Sequence, residues 1–239
     1  MNPVELSIVL PAYKEKENLA LLVPQIEEEF KKDRIEIIIV DDNSADGTRE
    51  LAAELHRTYG NVILIERPGL LGIGSALRDG YNRATGEYIL SSDADLSFSP
   101  DDMRVIYTKI QSGYDLVLGY YTSVASQGSR GLNGFITVSI STVSNTIMRL
   151  LAGVGNLKNY NTNFRVIRSS TWKSFTTVED RNFFLFETIY RSKQQGARIT
   201  EVPVTFSARK FGESKLNFFQ QAPRYFLKLI RFRLTGKSS

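Results

Sequence analysis

The chain has 239 residues, of which 42% are hydrophobic and 23% are charged, a composition that predicts a globular protein of one large domain, with or without an extension. It contains no cysteine and one histidine, which excludes disulfides and thiolate metal sites and argues against imidazole-cluster sites and most histidine-based catalysis. Any metal site must therefore rest on carboxylates. Residues 2–5 lack the basic and then apolar stretch of a signal peptide, so we expect a cytoplasmic location.

The excess of positive charge lies near the C-terminus. From Arg209 to Ser239 the chain carries eight basic residues and one acidic residue, so the net charge of +4 comes from this segment. Between Tyr225 and Leu234 the basic residues are interleaved with aromatic and aliphatic ones, as is typical of a segment that lies on a membrane surface. We therefore expect a catalytic domain over residues 1–216 and a basic amphipathic helix over residues 217–239 at a membrane surface, with no binding to nucleic acid.

The first two predicted strands each lead into polar residues. Residues 6–10 form a short apolar run that ends at Pro11 and predicts a buried strand. Apolar residues at helical spacing predict a helix over about residues 18–32. Residues 35–40 predict a second buried strand, which ends at the pair Asp41-Asp42.

The next predicted unit contains a glycine-rich segment. A helix is predicted over residues 46–59 and a third strand over residues 62–65. Residues 68–76 contain three glycines and lead into a helix that ends near Thr85, without the lysine of a Walker A loop. This segment either lies against a nucleotide or permits close helix packing, and the residues alone leave both readings open.

Two aspartates separated by one residue follow the fourth predicted strand, over residues 88–90. In an extended segment Asp93 and Asp95 project the same way, so both carboxylates can face one point. Hard oxygen ligands of this kind suit Mg²⁺ or Mn²⁺, which take further ligands from water and substrate phosphates. The alternative is an Asp-rich turn that caps the helix opened by Pro100.

A helix over residues 100–111 and a strand over residues 115–121 complete the alternating pattern. The pattern predicts an α/β fold with an open, mostly parallel sheet and helices on both faces. In such sheets the ligand binds outside the carboxyl ends of the strands. Asp42 and Asp95 both fall at that edge.

Three ordered motifs resemble inverting family 2 glycosyltransferases, which have the Rossmann-like GT-A fold. They are residues 11–15 (PAYKE), 40–48 (VDDNSADGT) and 93–97 (DADLS). Further features, namely Phe186-Glu187-Thr188, Arg209 and residues 211–216 (FGESKL), resemble the dolichol-phosphate mannose synthase branch. The likeness covers roughly residues 6–216.

The resemblance implies a role for each matching residue. The nucleotide-sugar donor would be bound by Pro11, Tyr13, Glu15, Val40, Asp42, Ala94, Arg209 and Lys215. Asp93 and Asp95 would hold Mg²⁺ or Mn²⁺ across the diphosphate and so take part in catalysis. Ser97 stands where the branch usually has glutamine as a third metal ligand, and it is the candidate third ligand here.

The implied reaction transfers one sugar, with inversion, from GDP-mannose or, as second choice, UDP-glucose to a polyprenyl phosphate at the cytoplasmic face of a membrane. A monophosphate acceptor is mostly a dianion at neutral pH, so it needs positioning by cations more than a general base. Arg130 and Arg165 are the candidates for this role, and Arg165 is counted among the catalytic residues.

Three alternatives remain at this stage. A family 2 transferase acting on a sugar or protein hydroxyl would need a base such as Asp180. A nucleotidyltransferase would normally carry a glycine-rich phosphate loop after the first strand, where this chain has Tyr13. A non-catalytic nucleotide-sugar sensor or membrane adaptor is the third.

Two departures from the branch pattern leave the sugar open. Residues 119–121 read Gly-Tyr-Tyr where the branch usually has Gly-Ser-Arg, which removes a cation expected near phosphate. Residues 159–165 read NYNTNFR in place of the usual Asp-x-x-Ser-Gly-Phe-Arg.

Overall fold

The computed structural model describes residues 3–120 and 157–205. In the first of these ranges strands and helices alternate, in the order β1 (Leu6–Ala12), α1 (Lys16–Glu29), β2 (Ile35–Asp41), α2 (Thr48–Tyr59), β3 (Val62–Glu66), α3 (Ile73–Arg83), β4 (Tyr88–Ser91), α4 (Pro100–Gln111) and β5 (Leu116–Tyr120). The second range contains β6 (Arg165–Arg168), α5 (Ser169–Trp172), α6 (Phe183–Gln194) and β7 (Ile199–Pro203).

The strands described in these ranges form one seven-stranded sheet in the order β3-β2-β1-β4-β6-β5-β7. β1 pairs in parallel with β2 and β4, and β2 pairs in parallel with β3. β6 is antiparallel to both of its neighbours, β4 and β5. The prediction of a mostly parallel α/β sheet is confirmed, while the insertion of an antiparallel strand between β4 and β5 was not predicted.

Helices cover both faces of the sheet. Apolar residues of α1, α2 and α4 pack on one face, in a cluster that includes Leu22, Leu55 and Ile106. Residues of α3, α5 and α6 pack on the other face, in a cluster that includes Leu77 and Phe184. The central strands are buried on both sides, which explains why their sequences are continuously apolar and do not alternate.

Most predicted element bounds agree with the structure to within a few residues, and α4 begins and ends where it was predicted. β1 differs because it continues through Pro11 to Ala12. Beyond Val9 this strand pairs with β2 alone among the described strands, so a proline without an N–H is tolerated there. Within the described ranges no helix is both long and apolar enough to cross a bilayer.

Candidate active site

Three loops at the carboxyl ends of the parallel strands carry backbone strain. Lys14 follows β1, Asn43 follows β2 and Leu96 follows β4, with φ angles of 60°, 62° and 62°. They are the non-glycine residues with positive φ in the described ranges. Residues other than glycine rarely adopt this backbone conformation. Strained residues of this kind, which cost about 1–3 kcal/mol each, cluster at functional sites. The strained residues therefore lie at the sheet edge where the alternation of strands and helices predicts that the ligand binds.

The first two loops are joined to each other. The backbone N–H of Lys14 donates to Oγ of Ser44 over 2.8 Å, and the N–H of Asp42 donates to the carbonyl of Ala12 over 3.0 Å. The buried Asp41 carboxylate accepts from the N–H and hydroxyl of Ser44. Asp41 therefore holds the loop in shape, next to Asp42.

Asp42 forms a buried ion pair with Arg67, the first residue after β3. The same guanidinium donates to Oγ of Ser75 in α3 over 2.5 Å and lies 3.1 Å from a carboxylate oxygen of Asp79. Burial raises the pKa of Asp42, and Arg67 opposes that rise. Sequence reasoning missed Arg67, although an arginine directly after the third strand, at the same sheet edge as Asp42, was a signal for it.

The other residues that the sequence predicts to bind the donor differ in how far their side chains are exposed. Tyr13 and Glu15 are half-buried in the loop after β1, where Glu15 accepts a hydrogen bond from Asn18 over 2.6 Å. Pro11 is half-buried at the end of the strand. The Val40 side chain is fully buried beneath α3, so only its backbone can contact a ligand.

The paired aspartates lie in a turn and not in an extended segment, which corrects the predicted local geometry. β4 ends at Ser91, and the Asp95 carboxylate accepts the backbone N–H of Ser97 over 3.0 Å. This bond closes a turn of the kind that aspartate side chains favour, with Leu96 in the left-handed region. Asp93 is half-buried, while Asp95 is nearly fully buried.

The alternative role for these aspartates, capping of α4, is filled by another residue. Oγ of Ser99 accepts the N–H of Asp102 over 3.1 Å and is the N-cap of α4. Ala94 and Ser97 are buried beside the two aspartates. Neither Asp93 nor Asp95 therefore caps α4.

The antiparallel strand β6 begins where β4 ends and brings Asn163 to the site. Ser91 pairs with Arg165 across the two strands, and Oγ of Ser91 donates to the carbonyl of Asn163 over 2.7 Å. Nδ2 of Asn163 donates to Oδ1 of Asp93 over 3.1 Å. Oδ1 of Asn163 is buried and has no hydrogen-bond partner within the described part of the chain. The sequence showed a departure from the branch motif at residues 159–165, but no role was predicted for Asn163.

Arg165, expected to contact the acceptor, is fully buried. Its guanidinium donates to the backbone carbonyl of Thr162, over 3.0 Å from Nε, and to that of Leu185 in α6, over 2.9 Å. An arginine held in this way fastens β6 to α6. We therefore correct the expectation that Arg165 acts as an accessible catalytic or acceptor-binding cation.

Asp180 lies in the loop before α6, against the N-terminus of α3. Its exposed carboxylate pairs with Arg78 over 3.0 Å, and its backbone carbonyl accepts the N–H of Ser75. A Cβ added to Gly74 would lie 2.5 Å from Cβ of Phe184 and 2.8 Å from the carbonyl carbon of Asp180. The glycine-rich segment therefore serves close helix packing at Gly74, one of the two readings left open.

Several predicted site residues lie outside the described ranges. They are Arg130, Arg209 and Lys215. The predicted amphipathic segment, residues 217–239, and the proposed domain boundary after residue 216 also lie outside them.

The residues at the end of β4 fit a divalent cation of the hard type. Asp93 and Asp95 supply carboxylate oxygens, Ser97 a hydroxyl and Asn163 a carbonyl oxygen with no partner in the described ranges. Among those ranges no cluster of three or more acidic, histidine or cysteine side chains could hold a metal by itself. A cation at this point would therefore take further ligands from water or from a bound phosphate compound.

Solved structures of low sequence identity share this fold. Glucosyl-3-phosphoglycerate synthase from Mycobacterium tuberculosis, crystallised with Mn²⁺, UDP and phosphoglyceric acid, matches 99% of this chain and 79% of its own, with a TM-score of 0.68 and 14% identity. S. aureus TarS 1-349 in complex with UDP-GlcNAc matches 96% of this chain and 65% of its own, with a TM-score of 0.63 and 19% identity. These likenesses establish the GT-A fold.

Comparison of sequences gives the family. Polyprenol monophosphomannose synthase of Mycolicibacterium smegmatis is 28% identical over 217 residues, which cover 88% of this chain and 80% of the relative. Dolichol-phosphate mannosyltransferase of Pyrococcus furiosus is 30% identical over 215 residues, which cover 89% of this chain and 59% of the relative. The profile of glycosyl transferase family 2 matches residues 7–175. The chain therefore belongs to glycosyl transferase family 2.

Proposed function

We propose that this glycosyltransferase moves a mannosyl group, with inversion, from GDP-mannose to a polyprenyl phosphate, with UDP-glucose as the second choice of donor. The observation that carries the proposal is the position of Asp93 and Asp95 after β4, at the same sheet edge as the Asp42 loop. The names of the two curated relatives support the acceptor class. Mn²⁺ and UDP in the M. tuberculosis structure support a donor held through its diphosphate.

The donor lies across the carboxyl ends of β1, β2 and β4 in this proposal. Tyr13 and Glu15, which are half-buried, contact the nucleoside together with Asp42. Asp93 and Asp95, assisted by Ser97, hold Mg²⁺ or Mn²⁺. When bound, that cation neutralises the charge that develops on the leaving diphosphate. Arg209 and Lys215 bind the same phosphates in this proposal.

The acceptor phosphate attacks as an anion and needs no general base. The structure supports this arrangement because the exposed carboxylate of Asp180 is paired with Arg78. Arg130 remains the proposed cation for the acceptor. The lipid would reach the site from a membrane surface on which residues 217–239 lie, with the enzyme peripheral to the cytoplasmic face.

The test is release of nucleoside diphosphate from a panel of nucleotide sugars, with and without polyprenyl phosphate in vesicles. Release from GDP-mannose should depend on the lipid phosphate and on Mg²⁺ or Mn²⁺. Asp93→Asn and Asp95→Asn should each lose at least about a hundred-fold in turnover. Asp101→Asn, on the exposed surface of α4, is the matched control and should keep it.

Two results would contradict the proposal. One is release that depends on a sugar or protein hydroxyl and not on a lipid phosphate. The other is parental turnover of Asp95→Asn in the presence of a metal chelator.

A further inference from the structure

We propose that Asn163 supplies an additional protein ligand, its amide oxygen, to the cation held by Asp93 and Asp95. The proposal rests on the function proposed above and adds a residue to that site. The starting observation is that the two ends of the Asn163 side-chain amide differ in hydrogen bonding. The Asn163 side chain is buried, with 7% of the residue exposed, yet only its Nδ2 has a partner in the described ranges. A buried carbonyl oxygen without a partner costs about 1–3 kcal/mol.

The position of Asn163 is held firmly by its backbone. Oγ of Ser91 donates to the Asn163 carbonyl over 2.7 Å, and Tyr81 shares a hydrogen bond with the same Ser91 hydroxyl over 2.7 Å. Tyr81 and Ser91 are themselves fully buried. Asn163 can therefore change the orientation of its amide without moving away from Asp93.

The spacing between Asn163 and Asp93 suits two ligands of one small cation. Nδ2 of Asn163 lies 3.1 Å from Oδ1 of Asp93. Two oxygens at adjacent octahedral positions around Mg²⁺, each about 2.1 Å from the ion, are about 3.0 Å apart. If the side-chain amide of Asn163 rotates by half a turn, its oxygen occupies the position of Nδ2 and lies at that distance from Oδ1 of Asp93.

The turn of the amide costs one hydrogen bond. In the structure the carboxylate of Asp93 accepts the amide N–H of Asn163. With a cation, the same carboxylate and the amide oxygen both face the positive charge. The oxygen leaves a position where it has no partner in the described ranges, Nδ2 moves into that position, and the bond to Asp93 is replaced by coordination.

Mn²⁺ binding to the full chain in the presence of GDP tests this inference without measuring turnover. Free Mn²⁺ is followed by electron paramagnetic resonance during titration of the parent and its variants. Asn163→Ala should bind Mn²⁺ about ten- to a hundred-fold more weakly than the parent. Asn159→Ala, in the same loop, is the matched control. The side chain of Asn159 accepts the N–H of Asn161 and has no proposed contact with the cation, so this variant should bind Mn²⁺ like the parent.

Asn163→Asp distinguishes a metal ligand from a residue that only positions Asp93 through a hydrogen bond. A carboxylate offers an oxygen in either orientation, so this variant should bind Mn²⁺ at least as tightly as the parent and melt at a higher temperature when Mn²⁺ and GDP are added. If Asn163 only braces Asp93 through its N–H, Asn163→Asp loses that bond, places two carboxylates together and binds Mn²⁺ more weakly. The second result overturns the inference, even if Asn163→Ala fails to fold.

Asp95→Asn distinguishes this inference from the proposed function. Loss of Mn²⁺ affinity in Asp95→Asn, with Asn163→Ala within two-fold of the parent, overturns the role of Asn163 and leaves the metal site standing. Parental affinity in both variants overturns the metal site itself. Circular dichroism and melting temperature establish that each variant is folded.

Discussion

Arg67 and Asp42 form an ion pair in which both side chains are almost fully buried, with 3% and 7% exposed. The pair joins the loop after β2 to the residue after β3, and the same guanidinium reaches α3 through Ser75. Removing one member of a buried pair leaves the other charge without compensation, which costs far more than an exposed pair contributes. The loop that carries Asp42 therefore depends on Arg67 for its position.

Arg67→Met should lower the free energy of unfolding by about 3–5 kcal/mol, because it leaves the Asp42 carboxylate buried without its cation. Urea denaturation measures this loss. Arg57→Met, on the exposed part of α2, is the matched control and should change stability by less than about 0.5 kcal/mol. Equal stability of the two variants would show that the ion pair does not hold the loop.

Arg165→Met should also destabilise the protein, by about 3 kcal/mol or more, because the carbonyls of Thr162 and Leu185 lose a charged donor in a buried site. Arg83→Met, on an exposed position at the end of α3, serves as the control. Denaturation and turnover are measured on the same preparations. Unchanged stability with lost turnover on polyprenyl phosphate would restore the acceptor-binding role that the structure argues against.

The raised pKa of Glu187 can be tested through the pH dependence of stability. This buried carboxylate accepts the backbone N–H groups of Val178 and Glu179, each over 3.1 Å. Burial raises its pKa above the ordinary value of 4.5, and the two N–H groups and Arg191 oppose the rise. The folded state therefore binds a proton more readily than the unfolded chain does. The contribution of Glu187 to stability is greatest below pH 4.5 and falls as the pH rises through the raised value.

We expect the stability of the parent relative to Glu187→Gln to increase as the pH falls from about 7.5 to about 4, since glutamine has no proton to gain. Urea denaturation of both proteins at a series of pH values measures the difference. A difference that is constant, or that grows in the parent's favour with rising pH, would contradict the raised pKa.

Asp180→Asn should leave turnover on polyprenyl phosphate within a few-fold of the parent, because the acceptor is already an anion and needs no base. The substitution weakens the ion pair with Arg78 at the protein surface, which is worth about 1 kcal/mol or less. Steady-state kinetics at saturating donor test this. Abolished turnover in a folded protein would establish a base and favour a hydroxyl acceptor.

Mn²⁺ should bind weakly to the protein alone and far more tightly when GDP is present. The reason is that the protein offers a pair of carboxylates, Asp93 and Asp95, and no larger acidic cluster in the described ranges. Calorimetric titration of Mn²⁺ with and without GDP makes the comparison. Tight binding without nucleotide would mean that the protein supplies a complete set of ligands.

The sequence alone was sufficient to predict the first five strands and the four helices between them. Their periodicity and end signals are local, as at α4, where Pro100 begins the helix and Ser99 caps it. The alternation of strand and helix also predicted where the strands end, and hence that Asp42 and Asp95 share one edge of the sheet. These features depend on residues close together in the chain, so a single sequence carries them.

Only the tertiary structure decided which distant groups meet. Asn163 and Asp93 are 70 residues apart and meet because β6 is inserted, antiparallel, between β4 and β5. The same insertion buries Arg165 against α6, and the order of β2 and β3 brings Arg67 to Asp42. Strand order and burial depend on how whole layers pack, which no periodicity within one segment encodes. The sequence therefore determined the kind of residues at the sheet edge, and the packing of distant strands and helices decided their partners.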